Sequence, residues 1–159
     1  MRRFAWILLA LSAVPLLRVE AQAVGTRAPV IVVTDLDGAS VTLPVAGRPA
    51  LIEFWATWCD VCEELLPRMV AAQKGYGGRV DFFGVNVTVN ESKNRVRRYV
   101  TEKKPPFRVL YDEKGTAVRA FGAPATSYVV IVDAKGIIRY TGSGGAQLLT
   151  AELAKVAPR

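Results

Sequence analysis

The chain has 159 residues, 51% of them hydrophobic and 22% charged, with a formal net charge of +7 and no histidine. That length allows one ordinary domain and no second core, and the apolar content excludes a disordered chain. Two cysteines are too few for a disulfide-stapled scaffold, and no basic run is interleaved with aromatics, which excludes nucleic acid as a partner.

Taken in chain order, Arg2 and Arg3 precede an apolar run from Phe4 to Leu17, and Ala21-Gln22-Ala23 follows. These are the parts of a secretory signal peptide. The run is 14 residues long, against roughly 20 for a spanning helix. Residues 1–23 are therefore assigned as a signal peptide, or an N-terminal anchor if uncut, and residues 24–159 as the domain. No cysteine follows the run, so a bacterial lipoprotein anchor is excluded. Without residues 1–23, which hold three arginines and Glu20, 18 basic and 13 acidic residues remain. The densest basic stretch is Lys93, Arg95, Arg97, Arg98, Lys103, Lys104 and Arg108, expected to be a solvated helix face.

Val30–Val33 reads as a strand, Asp37-Gly38 as a tight turn and Val41–Leu43 as the hairpin partner. Ala50–Ala56 is a nearly continuous apolar run, as in a central strand buried on both faces. Cys59–Lys74 spaces Val61, Leu65, Leu66, Met69 and Val70 on one helical face, with Pro67 inside it. Val80–Val87 is a second buried strand. A helix opened by Glu91 or Ser92 runs to Lys103 and stops at Pro105-Pro106. Phe107–Tyr111 is expected as an edge strand and Glu113–Phe121 as a short helix. Tyr128–Val132 and Ile137–Thr141 form a hairpin about Asp133–Gly136, and Ala146–Val156 closes the chain as a helix. This order predicts an α/β fold with a mixed sheet covered by helices on both faces.

Cys59 and Cys62 lie on the first turn of the predicted helix, close enough for a disulfide. Free N–H groups and the helix dipole stabilise a thiolate there, and the thiolate is the attacking species. Cys59, at the exposed lip, is the nucleophile; Cys62, one turn inside, resolves the mixed disulfide; Trp58 shields one side. So short a loop adds little stability, which leaves chemistry as the reason for the pair. Zinc needs about four ligands, and with no histidine and no third cysteine it finds too few here. No cofactor or metal is expected beyond the cysteine pair itself. Glu53 is the one charge in its apolar strand; burial would raise its pKa and let it take the proton of Cys62. The alternative for Glu53 is an edge-facing or paired carboxylate. Asp60, Glu63 and Glu64 place negative charge near Cys59, which disfavours the thiolate and makes the couple reducing.

Phe54-Trp55-Ala56-Thr57-Trp58-Cys59-Asp60-Val61-Cys62, with Pro67 behind it, resembles the TlpA/ResA-like branch of the thioredoxin superfamily. Ala28-Pro29, Asp37-Gly38, Val85-Asn86-Val87 and the hairpin with Asp133 and Gly136 extend the resemblance over residues 24–159. It implies a thioredoxin-like three-layer α/β/α fold with an added N-terminal β-hairpin. It also implies an extracytoplasmic thiol–disulfide oxidoreductase in the periplasm or cell envelope. Such a protein reduces partner disulfides, those of apocytochrome c among them, and is recharged by a membrane electron donor. Pro124 matches the family's cis-proline, which leaves the Ala123 backbone free to pair with an extended substrate. The spacing departs from the family: the strand-ending Asp133 lies nine residues after Pro124 instead of six, so either the strand is entered later or Ser127 occupies the proline's place. Glu91 resembles a family glutamate near the cysteines; its alternative is a first-turn carboxylate favoured by the helix dipole. Glu53 matches the buried carboxylate of thioredoxin itself. Two rival functions carry their own signatures: a Cu(I) chaperone, opposed by the lack of histidine and of a methionine cluster, and a peroxiredoxin-like peroxidase, opposed by Trp58 directly before Cys59.

Overall fold

The computed structural model describes residues 23–157; the segment assigned as a signal peptide lies outside them except for Ala23. Seven strands and four helices follow one another: β1 (Ile31–Asp35), β2 (Ser40–Leu43), β3 (Ala50–Trp55), α1 (Asp60–Tyr76), β4 (Asp81–Asn86), α2 (Lys93–Lys103), β5 (Arg108–Tyr111), α3 (Thr116–Phe121), β6 (Tyr128–Val132), β7 (Ile138–Ser143) and α4 (Leu149–Val156). They build one mixed sheet of order β2-β1-β5-β4-β3-β6-β7, in which β3, β4 and β5 run parallel and the outer strands pair antiparallel. Every residue of β3 and of β6 is buried, which is why β6 reads as a continuous apolar run and β3 as one broken only by Glu53.

Alternation along the strands sorts the core into two layers. Ile52 and Phe54 of β3 pack with Phe83, Val85 and Val130 under Ala117 and Phe121 of α3. Leu51 packs on the other face with Phe82, Val129 and Ile131, under Leu65 and Met69 of α1 and Leu149 and Leu153 of α4. Trp55 continues that second face toward Val96 of α2 and the two cysteines. The predicted helices on both faces are thus present, three on one side and α3 on the other.

One strand departs from expectation. β5 is not an edge: it lies between β4 and β1, with Thr34 opposite Tyr111 and Asp35 opposite Leu110. The β1–β2 hairpin folds onto it and takes the edge, a long-range docking that local pattern does not encode. The Arg108–Asp35 ion pair at 2.8 Å crosses the same junction.

Candidate active site

β3 ends at Trp55, and the chain turns through Ala56-Thr57-Trp58 to reach α1. Cys59 is the N-cap of α1, with extended backbone (φ −92°, ψ 96°), and its sulfur accepts the N–H of Cys62 at 3.1 Å. A sulfur in the N-cap place faces the unpaired N–H groups of the first turn, so negative charge on it is stabilised. Cys59 and Cys62 are joined as a disulfide, with their Cα atoms 5.2 Å apart. The expected contrast between an exposed Cys59 and a buried Cys62 is absent: their exposures are 5% and 6%. Trp55, Ala56 and Val96 pack around the bonded pair. Trp58 is half exposed beside them.

Three hydrogen bonds brace the loop that leads into Cys59. One carboxylate oxygen of Glu91 accepts both the N–H and the hydroxyl of Thr57, each at 2.7 Å. The indole N–H of Trp58 donates to the carbonyl of Val89 at 2.8 Å. Loop 87–92, between β4 and α2, thereby holds residues 57 and 58 from outside. Glu91 lies before the α2 cap, which is Ser92 accepting the N–H of Arg95; the first-turn reading of Glu91 gives way to a contact across 34 residues. Its second oxygen is buried without a partner.

Glu53 sits in the middle of β3, 2% exposed. By alternation it shares a face with Leu51 and Trp55, the face that α1 covers. Gly84 is its partner on β4, and the Phe107 ring fills the space that a side chain at 84 would need. Burial alone, with no compensating charge, pushes the Glu53 carboxyl up to about 8. The edge-facing or paired alternative is thereby set aside, and the carboxyl is protonated at neutral pH.

The acidic residues near Cys59 are not equivalent. Glu63 accepts the Tyr99 hydroxyl at 2.7 Å and pairs with Lys103 at 3.1 Å; the Tyr99 hydrogen bond is the main cause that holds its carboxyl below the usual range. Burial, and then that same bond, drive Tyr99 upward. Asp60 is exposed.

Pro124 is a correction. It is exposed, and the cis peptide among the described residues is Leu43–Pro44, not Ala123–Pro124. Pro124 and Ala123 belong to the loop after α3. The residue directly before β6 is Ser127, fully buried, with φ +58° and a hydroxyl lacking a partner. Phe54 is opposite Tyr128, so Ser127 lies beside the end of β3 that feeds the cysteine loop. Gln147, which the sequence did not flag, holds it there: its amide N–H donates to the Ser127 carbonyl at 3.0 Å and to Gly144 at 2.8 Å, while its oxygen accepts Tyr140. Thr57 was also missed, although its place next to Trp58-Cys59 was a usable signal; Gln147 offered none.

A mixed sheet with a cystine capping the helix after its central strand defines a thioredoxin-fold protein with a CxxC disulfide. The family model for Redoxin matches residues 23–154, and the chain belongs to the Redoxin family. It is a thiol–disulfide oxidoreductase, the activity by which its ResA relatives are named. The chain is 34% identical over 119 residues to the thioredoxin-like protein YneN of Bacillus subtilis, covering 72% of this chain and 68% of that one. It is 29% identical over 143 residues to the thiol-disulfide oxidoreductase ResA of Bacillus cereus, covering 87% and 82%. A match to the TxlA-homologue interchange protein of Synechocystis is 42% identical over 72 residues but spans 39% of that protein. Among solved structures, the thioredoxin domain of a Bacteroides vulgatus thiol-disulfide oxidoreductase superposes with a TM-score of 0.72 at 22% identity, covering 84% of this chain and 98% of that one. A thiol:disulfide interchange protein from Bacteroides sp. superposes with a TM-score of 0.75 at 21% identity, covering 88% and 93%. At those identities the structures speak for the fold.

Proposed function

We propose that this protein is exported and reduces disulfides of client proteins through Cys59, with Cys62 as the resolving thiol. The observation that carries the reading is the Cys59 sulfur in the cap position of α1, accepting the Cys62 N–H. In the reduced protein the Cys59 thiolate attacks one sulfur of a client disulfide; that S–S bond breaks, and the client's other sulfur leaves as a thiolate. Cys62 loses its proton and attacks the Cys59 sulfur, releasing the second client thiol and forming the Cys59–Cys62 disulfide. Two electrons pass to the client; of the two protons its sulfurs take up, one is that of Cys62 and the other comes from water, which received the Cys59 proton when the thiolate formed. A carboxylate accepts the Cys62 proton, and Glu53, on the sheet face beneath α1, is the residue assigned to that step. With its carboxyl pushed up to about 8, only a minority of Glu53 is ionised at neutral pH, but the ionised form is basic enough to take a thiol proton.

A reducing role is supported by the charges. The helix start favours the thiolate, and the exposed Asp60 beside Cys59 opposes that effect, whereas Glu63 is tied to Lys103 and Tyr99. A less stabilised thiolate means a more reducing couple. Working outside the cytoplasm as a reductant requires recharging, so a membrane electron donor is the second partner. Among the described residues no helix is long and apolar enough to cross a membrane. Apocytochrome c is one client that the resemblance to TlpA/ResA-like proteins supports. No further cofactor enters this scheme. Trapping tests the reading: Cys62→Ala protein should accumulate a mixed disulfide on Cys59 that dithiothreitol releases, with client cysteines identified by mass spectrometry. Peroxide consumption by the wild-type protein, with no captured client thiol, would replace it by the peroxidase reading.

A further inference from the structure

Seven basic residues crowd α2 and its flanks, and most of them are engaged. Arg97 pairs with Asp37 at 2.9 Å, Lys103 with Glu63 at 3.1 Å and Arg108 with Asp35 at 2.8 Å. Lys93 is 3.8 Å from Glu113 and lies over the Tyr111 ring. Arg95 donates to the Asn90 carbonyl and meets no carboxylate. Arg98 and Lys104 have no side-chain partner among the described residues, and Lys104 sits at the C-cap of α2. Arg95 and Arg98 share a polar cleft of about 520 Å³ with Thr57 and Trp58, the two residues before Cys59. Ser92 and Tyr99 also line it. Glu102, one turn beyond Arg98, also lines it without pairing with either arginine, so the two arginines leave the lining one positive charge in excess. Trp58, Val61 and Val89 are exposed, and Trp58 is bonded to the Val89 carbonyl.

We propose that this cleft is a specificity site for client segments, in which Arg98, assisted by Arg95, binds an acidic side chain adjacent to the client's reacting cysteine. The proposal rests on the disulfide-reducing reading and adds a substrate class to it. A peptide whose cysteine lies on Cys59 has its neighbouring residues within reach of the Trp58 side. A carboxylate there meets two guanidinium groups that the rest of the fold leaves without an acidic partner. A basic neighbour is repelled. Such contacts act chiefly on the encounter rate and weaken with salt.

The test uses the prereduced full-length protein and two synthetic peptides, each with one intramolecular disulfide, differing by Glu or Lys beside the attacked cysteine. Stopped-flow rates should favour the Glu peptide by about threefold at low ionic strength, the size expected of exposed charge pairs, and the preference should vanish near molar salt. Because the whole chain is basic, Arg98→Glu is compared with Lys135→Glu, an equal charge change in the turn at the far end of β6. Arg98→Glu should invert the preference, Arg98→Ala should abolish it, and Lys135→Glu should keep it; thermal melts followed by circular dichroism check that each variant is folded. Equal rates for the two peptides, or equal responses of the Arg98→Glu and Lys135→Glu proteins, overturn the specificity site while leaving disulfide reduction standing. If neither peptide reacts, the reductase reading fails and takes the site with it.

Discussion

Replacing Glu53 with Gln isolates the electrostatic cost of a carboxyl buried in the central strand. The carboxyl rises from its ordinary value of 4.5 to about 8 on burial. Its protonated form is favoured in the folded state, so the unfolded chain binds fewer protons through the window from about 4.5 to 8. Stability must therefore fall as pH rises through that window: the penalty is absent below 4.5 and complete above 8. At 1.36 kcal/mol per pKa unit, the loss between pH 5 and pH 8 is about 3 to 4 kcal/mol, as an order of magnitude. The chain suits this measurement because it has no histidine and its two cysteines are locked in the disulfide, which leaves few other groups to titrate there. Urea unfolding of the oxidised protein at pH 5, 6, 7 and 8 should show the fall in the wild type and a nearly flat profile in Glu53→Gln. The absolute stability of the Gln variant is less informative, because its buried amide carries its own unmet hydrogen bonds. Parallel profiles for the two proteins would refute the reasoning.

Three further outcomes are expected. Glu91→Ala leaves the Thr57 N–H and hydroxyl without their acceptor and should cost about 1–3 kcal/mol in urea unfolding, with Glu91→Gln recovering part of it; equal losses in both variants would contradict the bracing role. Asp60→Lys should move the redox midpoint upward by roughly 10–40 mV, from two exposed charge changes beside the Cys59 thiolate, as read by equilibration with glutathione; an unchanged midpoint would remove the charge argument for a reductant. Ser127→Gly relieves a left-handed backbone and removes an unpaired buried hydroxyl, and should be neutral or stabilising by about 1 kcal/mol in thermal unfolding, whereas Ser127→Pro cannot adopt φ +58° and should destabilise by about 3 kcal/mol.

The parts of this molecule that a reader of sequence could find are those with a local signature. β6 announces itself as an unbroken apolar run and β3 as one interrupted only by Glu53, because both faces of each are covered, and the cysteine pair is placed on a helix start by the strand before it and the apolar spacing after it. Pro67 falls inside α1 as expected. The misplaced features depend on distant partners. β5 reads as an edge until the β1–β2 hairpin docks on it from some seventy residues earlier. Pro124 attracts attention because proline is visible in a sequence, but the position beside the cysteine loop is set by the β3–β6 register, and that register puts Ser127 there. Glu91 and Thr57 are far apart in the chain, so their contact could be approached only by resemblance. Gln147 is an ordinary polar residue after two glycines, and its hold on Ser127 exists only once β7 and α4 are packed.

The most direct measurement is a redox titration of the purified protein in graded glutathione buffers, with free thiols counted by alkylation and mass. The account predicts one two-electron transition of Cys59 and Cys62 together, with a midpoint below about −180 mV. A cysteine pair that stays oxidised or reduced across the whole range, or that titrates well above that value, would contradict it.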